Sequence, residues 1–535
     1  MAEPFNLATY LTDRRLQAGD ADRTAVVSRR DSLTYRELAE QMRRAAAGLR
    51  ALGLRPEERV AFITPDGPEM LIGVLATWYT GAVAVPLSTM STGAELGRLL
   101  RDCRARFVVA GSEFAEAVQE AVAEAPDLTV LITVGEPVGQ AASTVRWTQL
   151  LASGAGGETQ GPDATTEESP ALWLYTSGTT GTPKAVMHPH ASMRHLVEAF
   201  GRHILGTRSD DRCYSVSKMF FTYGLANSCY LPLAAGATTI LDADRPTPSS
   251  IAARLIADRP TLFFAVPTVY AALLRAEELP DDAFASVRLA ISAGEMLPAR
   301  LHARFKERFG VDLVDGLGST EALQIFMSNR PGNTRPGSSG TPIPGYDVRL
   351  VTEDGTDAGP GEPGILWVRG PTMASGYWCR REASRAVFRG EWLVTGDMYT
   401  RDEEGYYHCL GRSGDMIKSG GIWVSPSEVE ERLEEHSTVA QAAVVAVPDA
   451  DGLELTVACV VPTPGQEIDP DALIKFCRSG LAAFKRPRRV LEFDVLPTTA
   501  TGKIQRAALR RTVAALLPRG TGSDPTAAVV PVPQS

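Results

Sequence analysis

Apolar residues along this chain recur with two alternating periods. Leu38, Met42, Ala45, Leu49 and Leu52 fall three and four positions apart, the stripe of an amphipathic helix. Thr34 and Glu37 have capping-box spacing at its start, and Gly53 suits its end. Residues 59–63 (Arg-Val-Ala-Phe-Ile) then make an apolar run of strand length. From Met70 to Ala94 no charge occurs, long enough to raise a membrane span, yet Gly73, Gly81 and Pro86 interrupt it. A buried helix, a turn at Thr80-Gly81 and a strand over 82–86 fit that stretch better. Further pairs follow, with strands at 238–241 and 262–266 and helices at 249–256 and 268–275. This cadence predicts an α/β architecture with largely parallel sheets.

Between about 335 and 411 Gly and Pro become dense around short apolar runs such as 365–368, which predicts a β-rich subdomain. Gly411-Arg-Ser-Gly-Asp415 is a compact polar turn, after which helix and strand patterns restart. Ser425-Pro-Ser-Glu428 supplies an N-cap, a proline at the first helical position and a capping-box glutamate. The expected division is a domain over 1–414, a smaller α+β domain over 415–518 and a disordered tail over 519–535. No internal repeat is visible.

The 535 residues suit several folding units of roughly 150 residues each. A net charge of −10 argues against a nucleic-acid partner. The seven cysteines, at 103, 213, 229, 379, 409, 459 and 477, include no C-x-x-C pair, so neither a disulfide framework nor a zinc site is read. The N-terminus lacks a signal-peptide pattern. A soluble cytoplasmic protein without a membrane partner is expected.

The most informative stretch is Tyr175-Thr-Ser-Gly-Thr-Thr-Gly-Thr-Pro-Lys184, which follows an apolar strand pattern over 171–175. Thr176, Ser177, Thr179 and Thr180 bring hydroxyls, while Gly178 and Gly181 let backbone N–H groups approach an anion. Lys184 closes the run with a cation, the chemistry of a loop that holds a polyphosphate. The spacing fails the Walker A pattern. Small and charged residues also follow strand patterns at Ser292-Ala-Gly-Glu295, Asp315-Gly-Leu-Gly-Ser-Thr-Glu321 and Thr395-Gly-Asp397, where open α/β sheets bind ligands.

With Gly376-Tyr-Trp378, Gly411–Asp415 and Thr501-Gly-Lys503, these motifs stand in the order of a known family. Over roughly residues 10 to 515 the chain resembles the AMP-forming adenylating superfamily of acyl- and aryl-CoA synthetases, carrier-protein adenylation domains and firefly luciferase. Within it the likeness is to benzoate-type aryl-CoA ligases. It implies a large N-terminal domain, a small mobile C-terminal domain and the use of ATP, Mg2+ and coenzyme A.

A carboxylate is a poor acyl donor, so such enzymes let it attack the α-phosphate of ATP, and a thiol then displaces AMP. By resemblance the 175–184 loop holds the β- and γ-phosphates, Glu321 ligates Mg2+ and Thr320 touches the α-phosphate. Ala293, Gly294 and Glu295, with Asp315, Gly316 and Leu317, line the adenine, and Ser319 belongs to the same nucleotide site. Asp397 accepts the ribose hydroxyls and Arg412 adds a second ribose contact. Lys503 bridges carboxylate and α-phosphate as the catalytic cation of the first step. Asp415 is the hinge, Gly420 and Gly421 line the thiol tunnel, and Phe484, Lys485 and Arg486 clamp CoA.

Lys218-Met-Phe-Phe-Thr-Tyr-Gly-Leu225 and Leu323-Gln-Ile-Phe-Met-Ser-Asn329 resemble the substrate segments of benzoate-type ligases. They imply a pocket with Phe220, Phe221, Thr222, Tyr223, Gly318, Gln324 and Ile325, whose rings suit a flat aryl acid. Thr222 and Gln324 depart from the alanine and histidine usual there. Extra polar groups favour a ring substituent that pairs with them, hence a hydroxy- or aminobenzoate as well as benzoate itself. Asp449-Ala-Asp-Gly-Leu453 lacks the tryptophan of some aryl-CoA ligases, which keeps a carrier-protein phosphopantetheine open as the alternative acceptor. His188 and His190, as H-x-H without a third ligand, are expected to be structural. A homodimer is left open.

Overall fold

The computed structural model describes residues 3–138, 141, 143–156, 160–176, 183–419, 422–448, 454–482, 485–498, 504–517 and 529–530. They divide into two compact units, one of residues 1–348 and 368–394, the other of 349–367 and 395–535.

Two sheets build the first unit. One runs, edge to edge, through Ser143–Arg146, Val130–Val134, Phe107–Gly111, Arg59–Ile63, Val83–Pro86, Pro170–Thr176 and Lys184–Pro189. Its strands are parallel except the last, which returns antiparallel on Pro170–Thr176. The other orders Thr341–Pro342, Ile325–Ser328, Leu313–Gly318, Leu289–Ala293, Leu262–Ala265, Arg212–Ser215, Thr238–Ile240, Thr24–Val27 and Ser32–Thr34. Here too the interior is parallel and the edges are antiparallel. Parallel strands covered by helices on both faces read as continuous apolar runs, and Leu262–Ala265 and Leu289–Ala293 are buried at every position.

The helices begin where capping chemistry places them. Thr34 caps Tyr35–Ala51, with Thr34 N donating to Glu37 Oε2 at 2.8 Å and Glu37 N to Thr34 Oγ1 at 3.2 Å. The uncharged stretch after Met70 is the helix Pro68–Tyr79 and the strand Val83–Pro86, and no described helix is long and apolar enough to cross a membrane.

The second unit centres on a sheet of Val439–Pro448, Glu454–Pro462, Arg489–Phe493 and Val529–Val530. Alternate residues face two cores. Val444, Ala446 and Val460 pack with Val429, Leu433 and Leu473, while Val445, Val457 and Cys459 pack with Leu509 and Val513. The strand Val529–Val530, parallel to Glu492–Phe493, lies in the tail expected to be disordered. Residues 349–367 join this unit through backbone and hydroxyl bonds, Gly361 N to Arg401 O at 2.8 Å and Thr395 Oγ1 to Leu366 O at 2.9 Å. The expected β-rich region is realised as short strands such as Gly364–Arg369, Trp392–Arg401 and Tyr407–Arg412.

Candidate active site

The strands on either side of the predicted phosphate loop form an antiparallel pair. Thr176 and Lys184 pair directly across Pro170–Thr176 and Lys184–Pro189, so the two ends of the loop are held side by side. Ser177, Gly178, Thr179, Thr180 and Gly181 lie outside the described residues. Tyr175 anchors the entry strand by donating its hydroxyl to Asp102 Oδ2 at 2.7 Å, and Arg380 Nη2 donates to Asp102 Oδ1 at 2.6 Å.

A third segment borders the exit strand. Met187 N donates to Gly376 O at 3.0 Å and Trp378 N to Ala185 O at 2.9 Å, which carries Tyr377 alongside Val186. Lys184 Nζ lies 5.4 Å from the centre of the Tyr377 ring, a cation–π distance. The Tyr377 hydroxyl donates to Glu321 Oε1 at 2.8 Å. Lys184, Tyr377 and Glu321 thus form a line from the end of the predicted phosphate loop to the predicted magnesium ligand. Tyr377 was visible in the sequence only as the centre of Gly376-Tyr-Trp378.

Glu321 sits in a single tight turn, Thr320–Ala322, capped by Ser319, whose Oγ accepts from Ala322 N at 3.3 Å. Leu323 follows in the left-handed region at φ 68, a conformation unusual for a branched side chain. The turn is fixed from both sides, with Thr372 Oγ1 donating to Ala322 O at 2.7 Å and His188 Nε2 lying 2.8 Å from Thr320 O. His188 and His190 are buried, and desolvation lowers both imidazole pKa values to about 4. They are neutral side chains at neutral pH. Among the described residues no group of three or more His, Cys, Asp or Glu could hold a metal. Mg2+ commonly takes one or two carboxylates plus substrate phosphates, so Glu321, a partly exposed oxygen donor, fits that ion without a dedicated cage.

The predicted nucleotide residues lie at the carboxyl ends of adjacent parallel strands. Ser292 pairs with Asp315 and Ala293 with Gly316. Gly294 turns the chain at φ 92, beside the partly exposed Glu295. Burial pushes the Asp315 carboxyl well above the usual carboxylate range, and its Oδ1 has no hydrogen-bond partner among the described residues. An orphaned acceptor there fits an amine donor such as that of adenine. Leu317, Gly318 and Ser319 continue the strand end, partly exposed.

In the second unit Asp397 and Arg412 face each other across an antiparallel pair, with Arg412 Nε 2.9 Å from Asp397 Oδ1. Asp415 follows, 3.3 Å from Arg510 Nη2 and 4.0 Å from Arg506 Nε. Lys485 Nζ donates to Glu428 Oε1 at 2.6 Å and Arg486 Nε to Leu481 O at 3.0 Å, so both cations are engaged within their own unit. Gly420, Gly421, Phe484 and Lys503 lie outside the described residues.

The predicted acid-binding residues converge in the first unit. The Phe220 and Phe221 rings are 4.6 Å apart, and Tyr223 donates its hydroxyl to Ile291 O at 2.9 Å. Thr222 donates to Leu323 O, so its hydroxyl is spent on the backbone. Gln324 is buried, and Gly318 lies against its carbonyl, where an added Cβ would come within 2.0 Å. Ile325 Cδ1 packs at 2.8 Å from where a Cβ on Gly316 would stand. Two groups that the sequence did not single out complete the region. Asp66, wholly buried, accepts Met219 N with both carboxylate oxygens at 3.1 Å. Asn227 accepts from Gln324 Nε2 at 3.1 Å.

A hairpin whose ends are Thr176 and Lys184, a carboxylate on a braced turn and a strand-end cluster at residues 292–295 and 315–319 lie where the sequence motifs of an adenylate-forming enzyme fall. The model of the AMP-binding enzyme family matches residues 13–378 and that of the AMP-binding enzyme C-terminal domain residues 428–503, and the chain belongs to this family. It is 41% identical over 515 residues to a 4-hydroxybenzoate–CoA/benzoate–CoA ligase of Rhodopseudomonas palustris, covering 95% of this chain and 94% of that protein. Among solved structures it resembles a benzoate CoA ligase from Burkholderia xenovorans LB400, with a TM-score of 0.85 and 40% identity over 95% of this chain and all (100%) of that one. It likewise resembles the anthranilate CoA ligase AuaEII in complex with anthranoyl-AMP, with a TM-score of 0.89 and 35% identity, covering 97% and 99% of the two chains.

Proposed function

We propose that this enzyme activates a small aromatic carboxylic acid with ATP and passes the aryl group to coenzyme A. In the first step a carboxylate oxygen attacks the α-phosphorus, forming aryl-AMP and releasing pyrophosphate. In the second the CoA thiol attacks the acyl carbon, giving the thioester, AMP and one proton. The observation that carries this reading is the Lys184–Tyr377–Glu321 line beside the phosphate hairpin, in a chain similar along its length to benzoate- and anthranilate-activating ligases.

Each residue has a task in this reading. Thr176, Lys184 and the intervening loop hold the β- and γ-phosphates, while Thr320 and Ser319 face the α-phosphate. Glu321, oriented by Tyr377, holds Mg2+, which when bound offsets phosphate charge. Asp315, Gly316, Leu317, Ala293, Gly294 and Glu295 take the adenine, and Asp397 with Arg412 takes the ribose. Phe221, Thr222, Tyr223, Gly318, Gln324 and Ile325 surround the acid, and Lys503 stabilises the developing charge at the α-phosphate. A C-terminal domain from Asp415 onward turns between the steps, bringing Gly420, Gly421, Phe484, Lys485 and Arg486 to CoA. Such an enzyme works in the cytoplasm, on freely diffusing substrates, alone or as a homodimer.

The test is pyrophosphate release from ATP across aryl and fatty acids, with and without CoA. Release that requires an aryl acid, with an aryl-CoA formed, is expected. Release without thioester formation would move the acceptor to a carrier-protein phosphopantetheine, and no release with any aryl acid would overturn the proposal.

A further inference from the structure

Asn227 and Gln324 form a closed amide pair, 0% and 2% exposed, behind Tyr223. Gln324 Nε2 spends its hydrogens on Asn227 Oδ1 at 3.1 Å and Tyr223 O at 3.4 Å. Gln324 Oε1 and Asn227 Nδ2 are left with no hydrogen-bond partner among the described residues. Two unpaired amide groups at such depth are costly, and that cost is recovered only when something pairs with them. The backbone is also irregular here. Asn227 lies in a wide turn over Ala226–Tyr230, closed by Leu231 N donating to Ala226 O five residues back. Turns of this kind insert one residue into a helix and are frequent at functional sites.

The two orphaned groups have opposite character, one an acceptor and one a donor. A phenolic hydroxyl is both at once: it gives its hydrogen to Gln324 Oε1 and takes one from Asn227 Nδ2. An aromatic amine donates but accepts poorly, because its lone pair is shared with the ring, and unsubstituted benzoate offers neither. Exchanging O and N in both amides again leaves one donor and one acceptor, so the match does not depend on how the amides are oriented. Thr222 does not compete, since its hydroxyl is already given to Leu323 O.

We infer that the Asn227–Gln324 pair is the specificity element of the acid pocket and selects a ring hydroxyl, so that the preferred substrate is a hydroxybenzoate over benzoate and aminobenzoates. This rests on the aryl-acid reading of the pocket.

The experiment compares kcat/KM for CoA thioester formation from benzoate, the three monohydroxybenzoates and the three aminobenzoates. The wild type, Gln324→Met and Asn227→Asp are assayed side by side. The wild type should favour one hydroxybenzoate over benzoate by about tenfold or more, since a site built to pair a hydroxyl discriminates against its absence. Gln324→Met removes the acceptor and Asn227→Asp replaces the donor. Each should lower the ratio of hydroxybenzoate to benzoate kcat/KM about tenfold, and the thermal midpoint reports separately that the variant is folded. A flat wild-type profile, or a preference that survives both substitutions, would overturn the inference while leaving aryl-acid activation intact. If a variant does not fold, the wild-type ratio decides. No turnover of any aryl acid would remove the proposed function itself, and this inference with it.

Discussion

His188 Nε2 lies 2.8 Å from the carbonyl oxygen of Thr320, 132 residues further along the chain. A carbonyl can only accept, so the ring is the neutral tautomer carrying its proton on Nε2. The bond ties the strand Lys184–Pro189 to the turn that bears Glu321. Removing the donor leaves a buried carbonyl unpaired, a cost of about 1–3 kcal/mol. His188→Ala should therefore lower stability in urea by about that amount. It should slow single-turnover pyrophosphate release more than His188→Gln, whose amide keeps a donor.

The same burial gives a pH dependence. The folded-state pKa values of His188 and His190 are both lowered to about 4, from an ordinary value of 6.5. Between those limits the unfolded chain binds more protons than the folded one, so stability rises with pH through this window. The contribution is fully present above about pH 6.5 and is lost as pH falls toward 4. Asp66 acts in the opposite sense, because desolvation raises its carboxyl to about 6 and its ionised form costs stability as pH rises. The difference between proteins isolates the histidines. Between pH 7 and pH 5 the urea midpoint should fall further in the wild type than in a His188→Gln, His190→Gln double variant.

Tyr377 orients the carboxylate of Glu321 through a 2.8 Å hydrogen bond while its ring faces Lys184. Tyr377→Phe keeps the ring, so the cation–π contact and most of the packing remain. Glu321 loses one fixed donor, worth about 1.5–3 kcal/mol at a charged acceptor. The Mg2+ concentration for half-maximal pyrophosphate release should rise several-fold, with little change in thermal midpoint. An unchanged Mg2+ requirement would show that Tyr377 does not position the ligand.

Elements whose ends are set by local chemistry could be read from the chain alone. The helix at Tyr35–Ala51 carries its cap in Thr34 and Glu37, and the helix at Pro426–Glu434 carries Ser425 and Glu428. Strand ends were less exact, because hydrogen bonds to distant neighbours fix them. The expected strands at 238–241 and 262–266 each end one residue sooner, at Ile240 and Ala265. Of the site, the glycine-, hydroxyl- and charge-rich motifs were visible, since their composition departs from that of a core. Tyr377 showed only as the centre of Gly376-Tyr-Trp378, and Asp66 and Asn227 not at all. Each has ordinary neighbours in sequence and takes its meaning from a partner 56, 153 or 97 residues away. Nor does sequence reveal that residues 349–367 belong with the second unit, because the bonds from Leu366 and Gly361 reach strands some 30 to 40 residues on.

Asp66 fixes the start of the acid-binding segment by accepting Met219 N with both oxygens. The contact lies just before Phe220 and Phe221, in the segment proposed to bind the acid rather than ATP. Asp66→Ala leaves Met219 N buried without its acceptor and frees the segment. The KM for the aryl acid should rise about tenfold, equivalent to about 1.4 kcal/mol, while the KM for ATP stays near wild type. Asp66→Asn, which keeps one acceptor oxygen, should fall between. Equal changes in both KM values would point to a general loss of structure rather than to positioning.

Lys503 supplies the sharpest separation of the two half-reactions. In the first, negative charge grows on the α-phosphate and on departing pyrophosphate, so a cation preset there acts chiefly in the transition state. In the second no pyrophosphate departs, and in the proposed cycle the C-terminal domain that carries Lys503 has turned to bring other residues to the CoA thiol. Losing one such electrostatic contact costs about 10²–10³ in rate. Lys503→Ala should slow aryl-AMP formation by about that factor, yet convert chemically prepared aryl-AMP and CoA to thioester at close to the wild-type rate. Single-turnover assays of each step read the two outcomes directly. Equal loss in both would mean that Lys503 supports a shared conformation rather than the adenylation step, and loss in neither would return it to the surface.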